Sequence, residues 1–390
     1  MSQSSPPVPV SPEVSAAPDQ AEPQEVEATM MVASQWKLMW WKLRRHKLAM
    51  ISGVIVILIY LIAIFVEFLQ VIPQDQYNAI YTYAPPQALH LFDNSSGTTQ
   101  VGLYVDGYKS AIDEFSLKRT FVVDPTQKIP VTFFAKGFEY KLLGFITADI
   151  HLFGPVTKDD PLYLLGADSM GRDVYSRMLG GTRISMTIGL FGVIVSLILG
   201  ILLGGISGYF GGAVDNIIQR VIEFLRSLPT IPLWMTLAAA LPMSWSPEAV
   251  FFGISVILSL IGWTGLARVV RGRFLALREE DFVMAARLDG NTQLAIITKH
   301  MVPSFLSHII ASVTLSIPYM ILSETSLSFL GLGLHPPVVS WGVLLQDAQN
   351  IRAVSTAPWL LLPALMVVVA VLSLNFFGDG LRDAADPYAR

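Results

Sequence analysis

The sequence contains no cysteine in 390 residues, and only 14% of its side chains are charged. Without cysteine the chain can form no disulfide, no thiolate metal site and no cysteine nucleophile. A soluble domain carries about a quarter charged residues, so most of this surface cannot face water. The net charge of −4 is small, which argues against nucleic acid as a partner.

Patterns that bind phosphate or metal are also missing. No glycine is followed by lysine, so the chain lacks the phosphate cradle of a P-loop ATPase and any ATP hydrolysis belongs to another polypeptide. The histidines show no HxxxH spacing, and we predict no metal site. Gly205-Ile-Ser-Gly208 resembles the nucleophile pattern of an intramembrane serine protease. Ser207 would then need a histidine within hydrogen-bonding reach, and His308 stays open as that partner.

Long apolar runs are what the sequence does have, since 53% of its residues are hydrophobic. A helix needs roughly 20 apolar residues to cross a bilayer. We predict an all-α, multi-pass membrane protein with six transmembrane helices, of which the third is short and marked by proline. The predicted spans are Leu48–Leu69, Ile184–Tyr209, Leu228–Leu241, Ala249–Val270, Val302–Phe329 and Trp359–Phe377.

Lysine and arginine in the short loops predict the orientation, because such loops stay in the cytoplasm. The loop after the third span has no lysine or arginine, and the loop after the fifth has only Arg352. We therefore expect a protein of the cell inner membrane with both termini in the cytoplasm. The basic residues on the predicted cytoplasmic side are Lys37, Lys42, Arg44, Arg45, Lys47, Arg220, Arg226, Arg268, Arg271, Arg273, Arg278, Arg287, Lys299, Arg382 and Arg390.

Composition divides the chain into four regions. Residues 1–36 are rich in proline, serine and glutamate without lysine or arginine, which predicts a disordered cytoplasmic tail. Residues 37–70 hold the first span and its basic flank, and residues 166–390 form a core with the other five. Residues 71–165 are predicted to be an external insertion. Its short runs of β-type residues predict a small β-rich elaboration, either a docking surface for an external partner or a structural cap. These runs are Val101–Val105, Phe121–Val123, Val131–Phe134 and Tyr140–Phe145.

The loop 278–303 after the fourth span is too elaborate for a simple connector. Asp281 is a plausible N-cap for two helical turns, and Gly290 stands where a left-handed residue would end them. Asn291 or Thr292 can cap a second helix that leads to the fifth span. The small side chains of Ala285 and Ala286 suit close contact with another protein, within a polar rim.

This loop resembles the cytoplasmic EAA loop of binding-protein-dependent ABC importer permeases. Met284-Ala-Ala, three residues, Gly290, nine residues and His300-x-Val-Pro303 keep the spacing of that motif. Met284 replaces the usual glutamate and Val302 a frequent leucine. Three further segments are similar to the dipeptide, oligopeptide and nickel branch, as its C-type subunit. They are Leu165–Arg177, Glu324–Gly333 and Gly378–Pro387.

The resemblance implies the type I ABC importer permease fold and a set of partners. These are a homologous second permease, two cytoplasmic ATPases that bind ATP and Mg²⁺, and an external solute-binding protein. The chain itself would be no enzyme and would bind no cofactor. The implied substrates are dipeptides and oligopeptides, with nickel chelates or oligosaccharides as alternatives, and a non-transporting membrane scaffold remains an alternative of another class. The implied coupling residues are Asp281, Met284, Ala285, Ala286, Asp289 and Gly290.

Two more features within the spans are candidates for packing and transport. Small residues recur at every fourth position of the second span, and such a stripe should face another helix in lipid, in this chain or in a sister permease. The stripe comprises Gly192, Ser196, Gly200, Gly204 and Gly208. Glu324 is an acid deep in the fifth span. It either lines the substrate pathway or is a packed acid hydrogen-bonded to a neighbouring helix.

Overall fold

The structure, a computed structural model, describes residues 35–93, 100–112, 119–158, 160–242 and 244–385. The helices before the sheet are α1 Gln35–Arg45, α2 Lys47–Ile64 and α3 Val66–Leu69. After it come α4 Val174–Phe210, α5 Gly212–Ser227, α6 Thr230–Ala239, α7 Pro247–Leu277, α8 Asp281–Leu288, α9 Gln293–Ala295, α10 Val302–Ser304, α11 Leu306–Phe329, α12 Trp341–Gln346, α13 Ile351–Thr356 and α14 Leu362–Ala385. The predicted tail 1–36 lies outside the described residues, except that Gln35 and Trp36 begin α1.

Helices α2, α4, α7, α11 and α14 are long and apolar enough to cross a membrane, and within the described residues these five alone qualify. They match five of the six predicted spans. Helix α4 is longer than predicted and begins at Val174 instead of Ile184. The cause is Asp173, whose carboxylate accepts hydrogen bonds from the backbone N–H groups of Tyr175 and Ser176.

The third predicted span is a partial one in the structure. Its helix, α6, has 10 residues. At 1.5 Å per residue it is about 15 Å long, about half of a hydrocarbon core of roughly 30 Å. Pro229 precedes it, and the chain turns after Ala239. Helix α6 nevertheless joins the main core, because its Trp234 is buried next to Tyr319 of α11.

The long helices pack on two sides of α4. Helix α4 runs along α7, and the Ser259 hydroxyl of α7 donates to the Gly192 carbonyl of α4 at 3.0 Å. On the other side, buried side chains of α2, α4, α11 and α14 form a second cluster that includes Val56, Met186 and Leu374. Helix α4 therefore lies in the middle of the bundle and contacts most of its neighbours.

A four-stranded antiparallel sheet separates α3 from α4 in the chain, in the order β1-β2-β3-β4. Its strands are β1 Leu89–Asp93, β2 Gln100–Ile112, β3 Arg119–Leu142 and β4 Ile146–Pro155. The predicted β-rich elaboration is thus confirmed. The predicted run Tyr140–Phe145 is confirmed as a strand up to Leu142 and is wrong beyond it, because β3 ends there and a turn follows. Leu143 and Gly144 have positive φ angles there, as in a tight hairpin turn that leads from β3 into β4.

Strand β3 serves two pairings. Its first half pairs with β2, up to Tyr104 opposite Pro130, and its second half pairs with β4 from Val131 onward. The core below this crossover contains Val105, Ile129, Val131 and Leu162, and Val71 packs against it. The sheet is therefore fixed to the segment that leaves α3.

Candidate functional site

The candidate site is the bent helix pair between α7 and α11. Helix α8 begins at Asp281 and its N-cap position is Glu280, which makes no side-chain capping bond. Asp281 is therefore not the N-cap, contrary to the prediction. It is an acid in the first turn, where it favours the positive end of the helix dipole.

The bend itself is where the sequence placed it. Gly290 has φ +78°, and its N–H donates to the Arg287 carbonyl at 3.1 Å. The N–H of Asn291 then donates to the Ala286 carbonyl at 3.2 Å, and its side-chain amide donates to the same oxygen at 3.1 Å. The carbonyls of Ala286 and Arg287 at the end of α8 are thus satisfied within the turn, as is typical of a helix that ends at a left-handed glycine.

The second half of the pair is not one α-helix. Thr292 caps it, as one of the two predicted candidates, by accepting from the Ala295 N–H at 3.3 Å. After α9 the chain widens into a π-helical stretch, Ile296–Met301, before α10. Pro303 explains the widening, because proline lacks the N–H of an α-helical bond and its ring clashes with the carbonyl four residues earlier.

The pair is attached to the bundle through one buried cluster. Val283 and Ala286 of α8, with Ile296 and Met301, pack against Phe274 of α7. Phe274 in turn stacks edge-on with Phe305, at 5.8 Å between ring centroids, at the entrance to α11. The guanidinium of Arg287 also lies 5.1 Å from the ring centre of Tyr209 in α4. Any displacement of α8 must therefore be felt by three of the long helices.

The six predicted coupling residues divide between two faces. Ala286 is 4% exposed and belongs to the buried cluster. In this conformation Ala286 is therefore not available for contact with another protein. Adjacent helical residues point about 100° apart, so Ala285 is exposed while Ala286 faces inward. The other five are exposed: Asp281, Met284, Ala285, Asp289 and Gly290.

Exposed apolar residues on the helix pair were missed from the sequence. Leu288 is 86% exposed and Leu294 68%, and Phe282 also faces outward. The signal was present for Leu288, because inward positions at Val283 and Ala286 leave Asp281, Ala285 and Leu288 on the opposite side of the helix. A small apolar patch with acidic neighbours on a rigid helix pair is a surface suited to a protein partner.

The small-residue stripe of α4 faces α7 and α11 of this same chain. A Cβ atom at Gly204 would lie 2.4 Å from the Ala267 carbonyl oxygen, and one at Gly208 would lie 2.6 Å from Phe274 Cβ. At Gly200 the contact would be Leu266, at 2.9 Å, and at Gly192 it would be Met320, at 3.4 Å. Ser196 donates to the Ser259 carbonyl at 3.4 Å. The stripe lets backbones approach within one subunit, as its spacing indicated.

Ser207, at the end of this stripe, has a structural environment. Its hydroxyl lies 2.5 Å from Asp215 Oδ1 and accepts from Gln219 Nε2 at 3.0 Å. Both partners belong to α5, so the serine ties that helix to α4. These contacts, with Phe274 only 3.4 Å from a Cβ at Gly205, explain the protease-like motif as packing.

Glu324 is fully buried in α11. Its Oε1 accepts from Ser340 Oγ at 2.6 Å and Ser328 Oγ at 2.8 Å, and its Oε2 lies 3.4 Å from Ser185 Oγ. Ser185 also accepts from the Trp341 N–H at 3.1 Å. The acid is thus packed and hydrogen-bonded across α4, α11 and the start of α12. In this conformation the carboxylate reaches no open surface, which favours the packed-acid interpretation, and the pathway role stays a prediction.

The apolar bundle defines a multi-pass membrane protein, and the helix pair carries an exposed face between two of its long helices. The chain belongs to the family described as binding-protein-dependent transport system inner membrane component, whose sequence model matches residues 196–390. A second model, the N-terminal TM domain of oligopeptide transport permease C, matches residues 34–86. The predicted family is confirmed, and it is a family of transport permeases of the inner membrane rather than of catalytic subunits.

Relatives of known name support the assignment. The oligopeptide transport system permease protein OppC of Bacillus subtilis (strain 168) is 34% identical over 254 residues, covering 65% of this chain and 78% of that protein. The OppC protein of Haemophilus influenzae is 40% identical over 229 residues, covering 58% and 71%. Among solved structures, an inward-facing MetNI methionine ABC transporter is 19% identical and covers 54% of this chain and 94% of that one, with a TM-score of 0.40.

Proposed function

We propose that the chain is the permease subunit of an ATP-driven importer that takes up dipeptides and oligopeptides. The observation that carries the proposal is the exposed face of α8, with Leu288 at its tip, rooted in the cluster around Phe274. Such a face suits a permease whose helices are moved by another subunit that binds to it. Peptide as the substrate is supported by the relatives, which in Bacillus subtilis are named for oligopeptide and for dipeptide transport.

The partners follow from this division of labour. A homologous second permease completes the pathway, two cytoplasmic ATPases bind ATP with Mg²⁺, and an external binding protein delivers the peptide. When the ATPases close, they push on the outer face of α8. Because Phe274 and Phe305 are in contact below that face, α7 and α11 then shift together. The cavity changes from inward-facing to outward-facing, and only contacts that differ between the two states can drive this.

The proposed orientation places α8 and both termini in the cytoplasm. This requires an even number of crossings, so α6 with its flanking turns counts as a sixth and partial one. Non-helical backbone at membrane depth needs other helices to cover it, so the exposed ends of α6 would require cover from another subunit. The apolar residues of α6 that pack on the main core include Trp234 and Ala238.

Single cysteines test the coupling face directly, because the chain has none of its own. Leu288→Cys and the equally exposed Ile351→Cys form a matched pair, at 86% and 84% exposure on opposite sides of the proposed membrane. In the complex, we expect Leu288→Cys to crosslink to an ATPase subunit and Ile351→Cys not to. In intact spheroplasts, a membrane-impermeant maleimide should label the second variant only.

The transport function is tested with the reconstituted complex in liposomes. Peptide uptake and ATP hydrolysis should both rise when the peptide-loaded binding protein is added. A scaffold that has lost transport would crosslink to the ATPase yet show no uptake. Crosslinking of Ile351→Cys instead of Leu288→Cys would overturn the coupling face itself.

A further inference from the structure

The hairpin between β3 and β4 has an apolar tip. Its sequence from Leu142 to Ile146 is Leu-Leu-Gly-Phe-Ile, at a position where hairpins usually carry polar turn residues. Phe145 is 73% exposed and Leu143 53%, and Ile146 is also exposed. Three large apolar side chains on one turn would be unfavourable in water, so the tip is built for a non-aqueous neighbour.

The backbone of this turn makes the choice of leucine more informative. Leu143 has φ +52° and Gly144 φ +85°, and the N–H of Phe145 donates to the Leu142 carbonyl at 3.2 Å. A turn with two left-handed residues favours asparagine or aspartate before glycine. Leucine is disfavoured in that conformation, so its presence is explained by what the side chain contacts beyond the protein.

The second half of β3 runs toward the membrane-crossing part of α2. Val131 belongs to the cluster that Val71 covers, and the ring of Phe134 lies 6.4 Å from that of Phe68. Farther along the strand, burial and then the nearby Glu67 carboxylate raise the pKa of Tyr140. As β3 advances, its neighbours therefore step back along the chain toward α2.

The tip lies farther along β3 than Tyr140, the residue near the polar groups at the end of α2. Glu67 pairs with Arg183, whose side chain also donates to the Ala63 and Ile64 carbonyls. This cluster marks where the apolar helix meets polar groups. From Tyr140 to Leu143 the chain covers three residues, or about 10 Å at 3.3 Å per residue. The tip therefore lies within about 10 Å of Tyr140, the residue of β3 that is near Glu67 at the end of α2.

We propose that the tip Leu142–Ile146 inserts into the lipid leaflet beside the C-terminal end of α2. The surface at the end of α2 supports lipid as the occupant, because Leu61 and Ile64 of this membrane span and Phe65 directly after it are exposed and apolar. The sheet that carries the tip packs at this same end, through Phe134 beside Phe68. Lys136 and Lys141, exposed on the strand above the tip, stand where phosphate headgroups would lie.

Spin labels on single cysteines test this in the assembled transporter in liposomes. Phe145→Cys and Leu143→Cys place labels at the tip, and Ile57→Cys provides a lipid-facing reference on α2 at 60% exposure. Val122→Cys is the matched control, since it is 64% exposed on the same strand but in the half paired with β2. We expect oxygen to relax the tip labels more strongly than a polar nickel complex, as at Ile57, and the reverse order at Val122.

The alternative occupant is the external binding protein, and the same labels separate the two. If both tip labels resemble Val122 in liposomes and become shielded only after the binding protein is added, the lipid proposal is overturned. Shielding from the nickel complex in liposomes without any binding protein supports it. The two tip positions are independent, so a failure of one variant to assemble leaves the other to decide, and peptide uptake plays no part in the readout.

Discussion

Arg271 of α7 grips Asp215 of α5 with two parallel hydrogen bonds, Nε to Oδ1 and Nη2 to Oδ2, each 2.5 Å long. Ser207 of α4 reaches the same carboxylate. Hydrogen bonding from Arg271 holds the pKa of Asp215 below its usual range. Three helices that are separate in sequence are thus joined at one partly buried acid, close to the base of the coupling cluster.

Breaking this contact should loosen the base of α5. We expect Asp215→Asn to lower stability by about 1 kcal/mol, because a forked, charge-assisted pair becomes a neutral contact. Arg271→Lys should have a similar effect, since lysine keeps the charge but not the two-point geometry. Thermal unfolding in detergent measures both. The exposed pair Arg220–Glu223 is the control, and its Arg220→Gln variant should unfold like the parent.

Asp173 gives the protein a pH dependence. Burial raises its pKa to about 6, against the lowering effect of hydrogen bonds from Ser176. Because its pKa is higher in the folded protein, Asp173 binds its proton more tightly there than in the unfolded chain. The protonated carboxyl therefore stabilises the fold, and this contribution is complete below about pH 4 and is lost as the pH rises through 6. Asp173→Asn keeps an N-cap acceptor and cannot ionise. The unfolding temperature of the parent should fall relative to this variant between pH 4 and pH 6.5, and parallel curves would contradict the assignment.

Gly290 tests the proposed lever. Its φ of +78° is unfavourable for a β-branched residue, although a Cβ there would meet no atom within 4 Å. Gly290→Val should therefore strain the backbone without a clash. A strain of about 1.4 kcal/mol corresponds to a factor of ten, so we expect peptide uptake to fall roughly tenfold while ATP hydrolysis continues. Gly272→Val adds the same side chain to open space in a helical backbone. Normal uptake by the Gly290 variant would refute the lever.

Gly204 tests the close approach of α4 and α7. Gly204→Ala would push a methyl group to 2.4 Å from the Ala267 carbonyl, and we expect a loss of about 1–3 kcal/mol from overpacking. The control is Gly265→Ala on α7, where a Cβ meets nothing within 4 Å. Denaturation of both variants in the same detergent gives the difference. Equal stability of the two would mean that the helices are not in contact here.

Glu324 separates a structural acid from a transport residue. Glu324→Gln keeps an acceptor for Ser328 and Ser340, so it should change uptake little. Glu324→Ala leaves those hydroxyl groups without their partner and should cost about 1–3 kcal/mol per unsatisfied group. Loss of uptake in the glutamine variant at unchanged thermal stability would support a role of Glu324 in the substrate pathway.

Local patterns predicted the architecture where one principle dominates. Apolar length located α2, α4, α7, α11 and α14, because the bilayer requires long apolar helices whatever they pack against. The bend at Gly290 was also predictable, since its backbone needs a left-handed residue. Such features can be predicted because a few neighbouring residues determine them through the chemistry of the backbone.

What could not be predicted depends on contacts between distant segments. The inward turn of Ala286 follows from the position of Phe274 on another helix, and the satisfaction of Glu324 depends on Ser340, which is not in the same helix. The widened turn before α10 could have been anticipated from Pro303, because its effect on the preceding carbonyl is local. Burial, in contrast, is decided only when the bundle assembles.

The double pairing of β3 has a mechanical result. Because one strand is shared by both hairpins, the far part of the sheet is connected through β3 to the part beside Phe68, although the register shifts once in each pairing. A protein that contacts the far part of the sheet would therefore be connected, through a single strand, to the end of the first membrane helix.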